Sequence, residues 1–250
     1  VVHTHVSVVS AASPLGAIAS VPRRAPTVLT FHSVLRLKRL ALSAVNAVAR
    51  LNERPMVWTA VSELVAGQVA RALGGTEVAI LPNGIDLAFW RDASRGHGRG
   101  TGPVTFISAM RLHRKKRPRE LVAPFGRAVA RAGVPARLVL AGVGPELRAL
   151  RRDIADNPAA DVELVGWQDR TTLRDLYGQA DAFVLPSRHE AFGIAALEAR
   201  AAGLPVIASR SAGCREFLRD GENALLSDGD DELADAMARL MCEPDLRRGL

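Results

Sequence analysis

Pro186-Ser187-Arg188-His189-Glu190-Ala191-Phe192-Gly193-Ile194-Ala195-Ala196-Leu197-Glu198 is the stretch on which the reading of this chain turns. Ala182 to Leu185, just before it, is a short unbroken apolar run with the character of a buried strand. Ile194 to Ala202 is rich in helix formers, so Glu190 to Gly193 is expected to turn from strand into helix. A helix N-terminus presents free N–H groups and the positive end of the peptide dipole, and both favour an anion. Gly193 leaves room for that anion, and a phosphate suits the place.

Two carboxylates flank this turn, Glu190 in the loop and Glu198 inside the helix. Eight positions of helix span about 12 Å, too far to share a proton but suited to holding hydroxyls on two parts of one long ligand. The plain alternative is that Glu190 caps the helix and Glu198 is a solvated helix residue. The residues around them must decide between these readings.

Outward from this turn, the second half of the chain alternates. Strands are expected at Val104 to Ser108, Arg137 to Ala141, Val162 to Val165, Ala182 to Leu185, Pro205 to Ala208 and Ala224 to Leu226, with helical stretches between them. That order specifies a parallel sheet with helices on both faces, a Rossmann-like domain whose ligands lie beyond the carboxyl ends of the strands. In the first half, strands are read at Val1 to Val6, Thr27 to Phe31, Met56 to Ala60 and Val78 to Leu81, with helices at Leu35 to Leu51 and Ser62 to Leu73. Ser62 is read as an N-cap. The α/β class thus divides into residues 1–92, a polar Gly-rich linker at 93–102, and residues 103–250.

Several short segments sit at expected strand ends: Thr30-Phe31-His32-Ser33, Leu81-Pro82-Asn83-Gly84-Ile85-Asp86, Arg111 followed by Lys116, and Ala141-Gly142-Val143-Gly144-Pro145. Together with Glu190-x7-Glu198, this ordered set resembles the retaining GT-B glycosyltransferases of the family 4 type, over nearly the whole chain. The resemblance implies two Rossmann-like domains facing a cleft, and transfer of a hexose from a nucleoside diphosphate sugar to a hydroxyl acceptor with retention. It implies that Glu198 holds the ribose, that Glu190 holds the donor sugar, and that Arg111 and Lys116 hold the diphosphate, with N–H groups at Phe192, Gly193 and Ile194 assisting. His32 would line the reaction centre, and Gly142 and Gly144 would lie near the nucleotide. Met110 stands where relatives generally have Gly, and Lys115 beside Lys116 leaves a one-residue ambiguity. No metal and no cofactor beyond the donor are implied.

Taken on their own chemistry, the same residues leave plainer alternatives open. Arg111 to Lys116 reads equally as a solvated basic run, and Gly142 and Gly144 admit either a ligand or another loop. Trp167 is read chiefly as a core residue, with stacking on a base as the alternative. His3 and His5 alternate, so they share one face of their strand with no carboxylate or Cys among them. Leu81 to Asp86 is assigned to hinge and shape. Cys214 is read as inert.

Composition narrows the class. No apolar run approaches the ~20 residues of a membrane-spanning helix, and two cysteines are too few for a disulfide framework, so reduced thiols and a cytoplasmic setting are expected. The net charge of +7 raises nucleic-acid binding, but aromatics are only 4% and the arginines are scattered, so no nucleic-acid partner is expected. Contact of a basic first domain with an anionic membrane, where a lipid-linked acceptor would be met, is a further expectation, beside sugar and small-molecule acceptors. The chain begins on an interior-type strand without Met and stops within a helical pattern, so a first domain incomplete at its start and a second cut at its end are expected. A binding-only fragment and a GT-B-like nucleotide-sugar epimerase are the alternatives to a transferase.

Overall fold

Strands of two to six residues, joined by helical segments, assemble into two parallel sheets in a computed structural model that describes residues 1–6, 26–35, 38–93 and 102–250. Two compact units result, Val1–Gly84 with Glu190–Phe192, and Ile85–His189 with Gly193–Leu250.

The first unit holds β1 (Val2–Val6), β2 (Thr27–Phe31), α1 (Lys38–Ala49), β3 (Met56–Ala60), α2 (Glu63–Ala72) and β4 (Ala79–Ile80), with the strands ordered β1-β2-β3-β4 and all parallel. Ser62 caps α2 by accepting the Val65 amide at 3.3 Å, as its sequence position predicts. Leu29, Phe31, Trp58, Val65 and Val69 form the buried apolar layer between sheet and helix.

The second unit begins with α3 (Leu87–Arg91) and continues β5 (Val104–Ala109), α4 (Val122–Ala132), β6 (Ala136–Ala141), α5 (Leu147–Ala155), β7 (Val162–Gly166), α6 (Arg170–Gln179), β8 (Ala182–Leu185), α7 (Ile194–Ala201), β9 (Val206–Ser209), β10 (Ala224–Ser227), α8 (Asp230–Cys242) and α9 (Pro244–Gly249). Its six parallel strands are ordered β10-β9-β8-β5-β6-β7. Counted from β5 this is the doubly wound order 3-2-1-4-5-6, which places its topological switch between β5 and β8. Buried apolar clusters on the two faces explain the near-continuous hydrophobicity of β5, β6, β8 and β9.

One boundary differs from the sequence reading. Ile85 to Asp92 pack with the second unit, because the fully buried Trp90 of α3 stacks near Tyr177 at 5.4 Å and Tyr177 in turn meets Phe183 at 5.6 Å. Most of the expected linker at 93–102 lies outside the described residues. Among the described residues no helix is long and apolar enough to cross a membrane.

Candidate functional site

The carboxyl ends of β5, β6 and β7 and the first turn of α7 enclose a cavity of about 500 Å³. Arg111, Gly142, Ile194 and Glu198 line it together with Met110 and Trp167. The first four of these are candidate site residues by sequence, and one unit holds them all.

The cavity wall is built by backbone. The Met110 amide donates to the Ala141 carbonyl at 3.0 Å, the Leu112 amide to Val143 at 3.0 Å, and the Gly142 amide to Gly166 at 2.6 Å. Three strand-end loops therefore run stitched side by side. A Cβ on Gly142 would lie 1.8 Å from the Met110 carbonyl oxygen, and one on Gly144 would lie 2.2 Å from that of Leu112. The neighbour that needs these glycines is thus another loop, the one that carries Arg111.

Glu198, on α7, is half-buried and lines the cavity together with Ala195, Leu173 and Met110. Burial pushes its carboxyl up to about 7, against a smaller opposing pull from the Arg170 guanidinium. Arg170 itself is held over the Phe89 ring at 4.2 Å. The charge of Glu198, added to full burial, drives the Tyr177 hydroxyl well above its usual range. Glu198 is therefore not the solvated helix residue of the plain alternative. α7 opens with Gly193 in the left-handed region, φ 89°, where a side chain would be strained.

Trp167 corrects its expected core role: the indole is 70% exposed and stands at the rim of the cavity. Pairing of β6 with β7 slips between Leu140 and Ala141, so that Ala141 faces Gly166. Such a bulge, followed by positive φ at Gly166, turns the next side chain outward. Val143 and Ile194 are also exposed apolar residues on this cavity. Arg170 and Tyr177 were missed, for nothing local distinguishes them from ordinary helix residues.

Lys116 ends a 3-10 turn, Arg114–Lys116, and is half-buried where Lys115 is exposed. It is not among the cavity residues, nor are Gly144 and Gly193. His32, Glu190 and Phe192 belong to the first unit.

Within that unit His32 leaves the end of β2, its amide bonded to Val6 at 3.0 Å. Its Nε2 and His5 Nδ1 share a hydrogen bond of 2.7 Å, and the Asn83 side chain also bonds to His32. The motif read as hinge and shape thus reaches an imidazole. Nearby, Thr59 donates to the Leu29 carbonyl at 3.1 Å, which obliges Thr30 to donate to Thr59 at 2.6 Å and His3 Nε2 to donate to Thr30 at 2.7 Å. Burial first, then His5 and His3, lower the His32 pKa from its ordinary 6.5, with Asn83 opposing. In imidazole NMR titrations His32 is expected to protonate below 6.5, and its contribution to stability to be lost as pH falls through that window. His5→Asn should raise the His32 midpoint, and an unmoved midpoint would rule out the coupling.

Known proteins share this architecture. Anabaena HepE, in a crystal structure with UDP and glucose, superposes with a TM-score of 0.78 at 21% identity, over 94% of this chain and 67% of HepE. Sucrose-phosphate synthase from Thermosynechococcus elongatus gives 0.71 at 24% identity, over 90% of this chain and 60% of that one. These likenesses define the fold as GT-B. The model described as "Glycosyl transferases group 1" matches residues 91–250, and that of "Glycosyltransferase Family 4" matches residues 1–89. The chain belongs to the glycosyl transferases group 1 family. Among its relatives, D-inositol 3-phosphate glycosyltransferase of Actinosynnema mirum is 30% identical over 90% of this chain and 60% of the relative. A GDP-mannose-dependent alpha-(1-6)-phosphatidylinositol dimannoside mannosyltransferase of Mycobacterium tuberculosis is 29% identical over 70% of this chain and 47% of the relative. The chain spans about half to three-fifths of the length of these two relatives.

Proposed function

We propose that the protein transfers a hexose from a nucleoside diphosphate sugar to a hydroxyl acceptor with retention of configuration. The observation that carries this reading is the half-buried carboxyl of Glu198 in a cavity that also presents Arg111 and the open face of Trp167. A carboxylate for ribose hydroxyls, a guanidinium for phosphate and a flat apolar wall for a base together match the three parts of a nucleotide. The placing of this cavity beside the switch between β5 and β8 supports the same ligand.

In this reading Arg111 and Lys116 neutralise the diphosphate as the sugar–oxygen bond breaks, and a dry site strengthens that attraction. Glu190 holds the donor sugar near its 3-hydroxyl, and His32 lines the acceptor side. The acceptor oxygen attacks on the face from which the diphosphate departs, and the β-phosphate takes its proton. The chemistry calls for no metal ion and no protein nucleophile. The setting is cytoplasmic, and contact with anionic lipid is supported by exposed Leu40, Val45 and Val48 on α1, near Arg39 and Arg50. Failure to bind anionic vesicles at low salt would remove that contact from the proposal.

The test of the donor site is calorimetric titration with UDP, GDP and ADP, and with Glu198→Ala and Lys116→Ala as controls. Saturable binding of one nucleotide, weakened by both substitutions, is expected; no binding to any of the three would overturn the reading. Trp167→Ala is expected to weaken that nucleotide and its bare nucleoside alike, by about tenfold, the value of one lost base stack. Its melting temperature should not move, since the indole is 70% exposed. Unchanged affinity would exclude stacking.

A further inference from the structure

The turn that carries Lys116 is closed by Arg117, whose backbone is left-handed at φ 58°, ψ 44°. Among the described residues only Arg50 and Arg117 are non-glycine residues at positive φ. An L-residue there is strained, and glycine avoids that strain. The Arg117 side chain must offset it, and its contacts show how.

Its side chain is only 17% exposed. Nη2 donates to Asp230 Oδ1 at 2.6 Å, Nη1 to the Pro186 carbonyl at 3.4 Å, and Nε lies 3.8 Å from Glu120. Asp230 opens α8, where the helix dipole favours its negative charge, and Arg188 approaches the same carboxylate at 4.0 Å. One residue from this clamp on each side, the fully buried Ser187 donates from Oγ to the Lys116 carbonyl at 3.3 Å. The loop after β5, the loop after β8 and the start of α8 are thus bolted together at one guanidinium.

We infer that Arg117 is a positioning residue: it fixes the backbone of Lys116 against Pro186 and Ser187, and so sets where the Lys116 ammonium points. This rests on the reading of Lys116 as a diphosphate ligand. Only a planar fork reaches Asp230 and the Pro186 carbonyl at once, so lysine is no substitute.

Two measurements on the full chain test it, using Arg117→Gly, Arg117→Lys, Lys116→Ala and the double variant Lys116→Ala/Arg117→Gly. Glycine suits the left-handed backbone, so Arg117→Gly retains the fold while losing the clamp. Hydrogen exchange is expected to quicken by about tenfold or more in peptides covering 114–117 and 186–190, since local opening governs protection. Affinity for the bound member of UDP, GDP and ADP should fall as far in Arg117→Gly and Arg117→Lys as in Lys116→Ala, by about tenfold. The double variant should bind no more weakly than Lys116→Ala alone.

Unchanged exchange in Arg117→Gly would overturn the clamp. Faster exchange with parental affinity, or losses that multiply in the double variant, would overturn the link to Lys116. If Lys116→Ala binds like the parent, the donor reading of Lys116 fails and takes the role of Arg117 with it, whatever the exchange shows.

Discussion

Glu198→Gln is expected to bind the donor nucleotide about 100-fold more weakly than the parent, the loss of one or two charge-assisted hydrogen bonds, and yet to melt at a higher temperature above pH 7. The folded protein holds the Glu198 carboxyl near 7, against an ordinary value of 4.5, because half-burial in an apolar wall disfavours its charge. Between those values the folded state keeps a proton that the unfolded chain has released. Stability therefore falls as pH rises from 4.5 to 7 and stays lowered above it. Glutamine has no such proton, so its advantage should be absent below 4.5 and complete above 7.

Binding runs the other way. Ribose hydroxyls donate to an ionised carboxylate, so parental affinity should rise with pH up to about 7, by as much as about tenfold per pH unit, and then level off. Calorimetry and thermal melts on the same samples, from pH 5 to pH 8, read both effects. A variant that binds like the parent, or a parent whose affinity is flat across this range, would detach Glu198 from the ligand. A stable variant that no longer binds would mean that the carboxylate is kept at the expense of the fold, which is the expected mark of a functional group.

The strands of the second unit were legible because buried parallel strands leave continuous apolar runs, and Ala182 to Leu185 is as plain an example as the chain holds. Their ends were legible too, which is why Arg111, Gly142, Ile194 and Glu198 stand out in the sequence, and one cavity gathers them. What local pattern cannot carry is direction and partnership. Trp167 reads as core by composition, and only the slipped register of β7 and the left-handed Gly166 turn it outward. Trp90 reads as the end of the first half, yet its burial depends on Tyr177, on a helix far along the chain. The clamp of Arg117 closes on Asp230, 113 residues away, and no spacing rule reaches so far. His3 and His5 could be placed on one face, but their hydrogen bonds to Thr30 and His32 depend on the pairing of β1 with β2.

Gly142→Ala and Gly144→Ala are expected to be among the most destabilising single substitutions in the second unit, at about 3–4 kcal/mol each, or roughly 10 °C in melting temperature for a domain of this size. The added methyl would sit 1.8 Å from the Met110 oxygen in the first case and 2.2 Å from the Leu112 oxygen in the second. Both obstacles are backbone, which cannot rotate aside as a side chain does. Neither loop is free to retreat, because Met110, Leu112 and Glu146 donate across the contact to Ala141, Val143 and Leu112 at 3.0 Å each. The relief available is to part the two loops, and that moves Arg111 off the cavity. Nucleotide affinity should therefore fall with stability, unlike at Trp167, where it falls alone. Gly166→Ala is the control: φ is +75° but nothing lies within 4 Å of the new Cβ, so only the left-handed backbone cost of about 1–2 kcal/mol applies. Thermal melts of the three variants side by side decide the matter. Equal losses at Gly142 and Gly166 would show that conformation alone, and not the apposed loop, is what requires glycine beside Arg111.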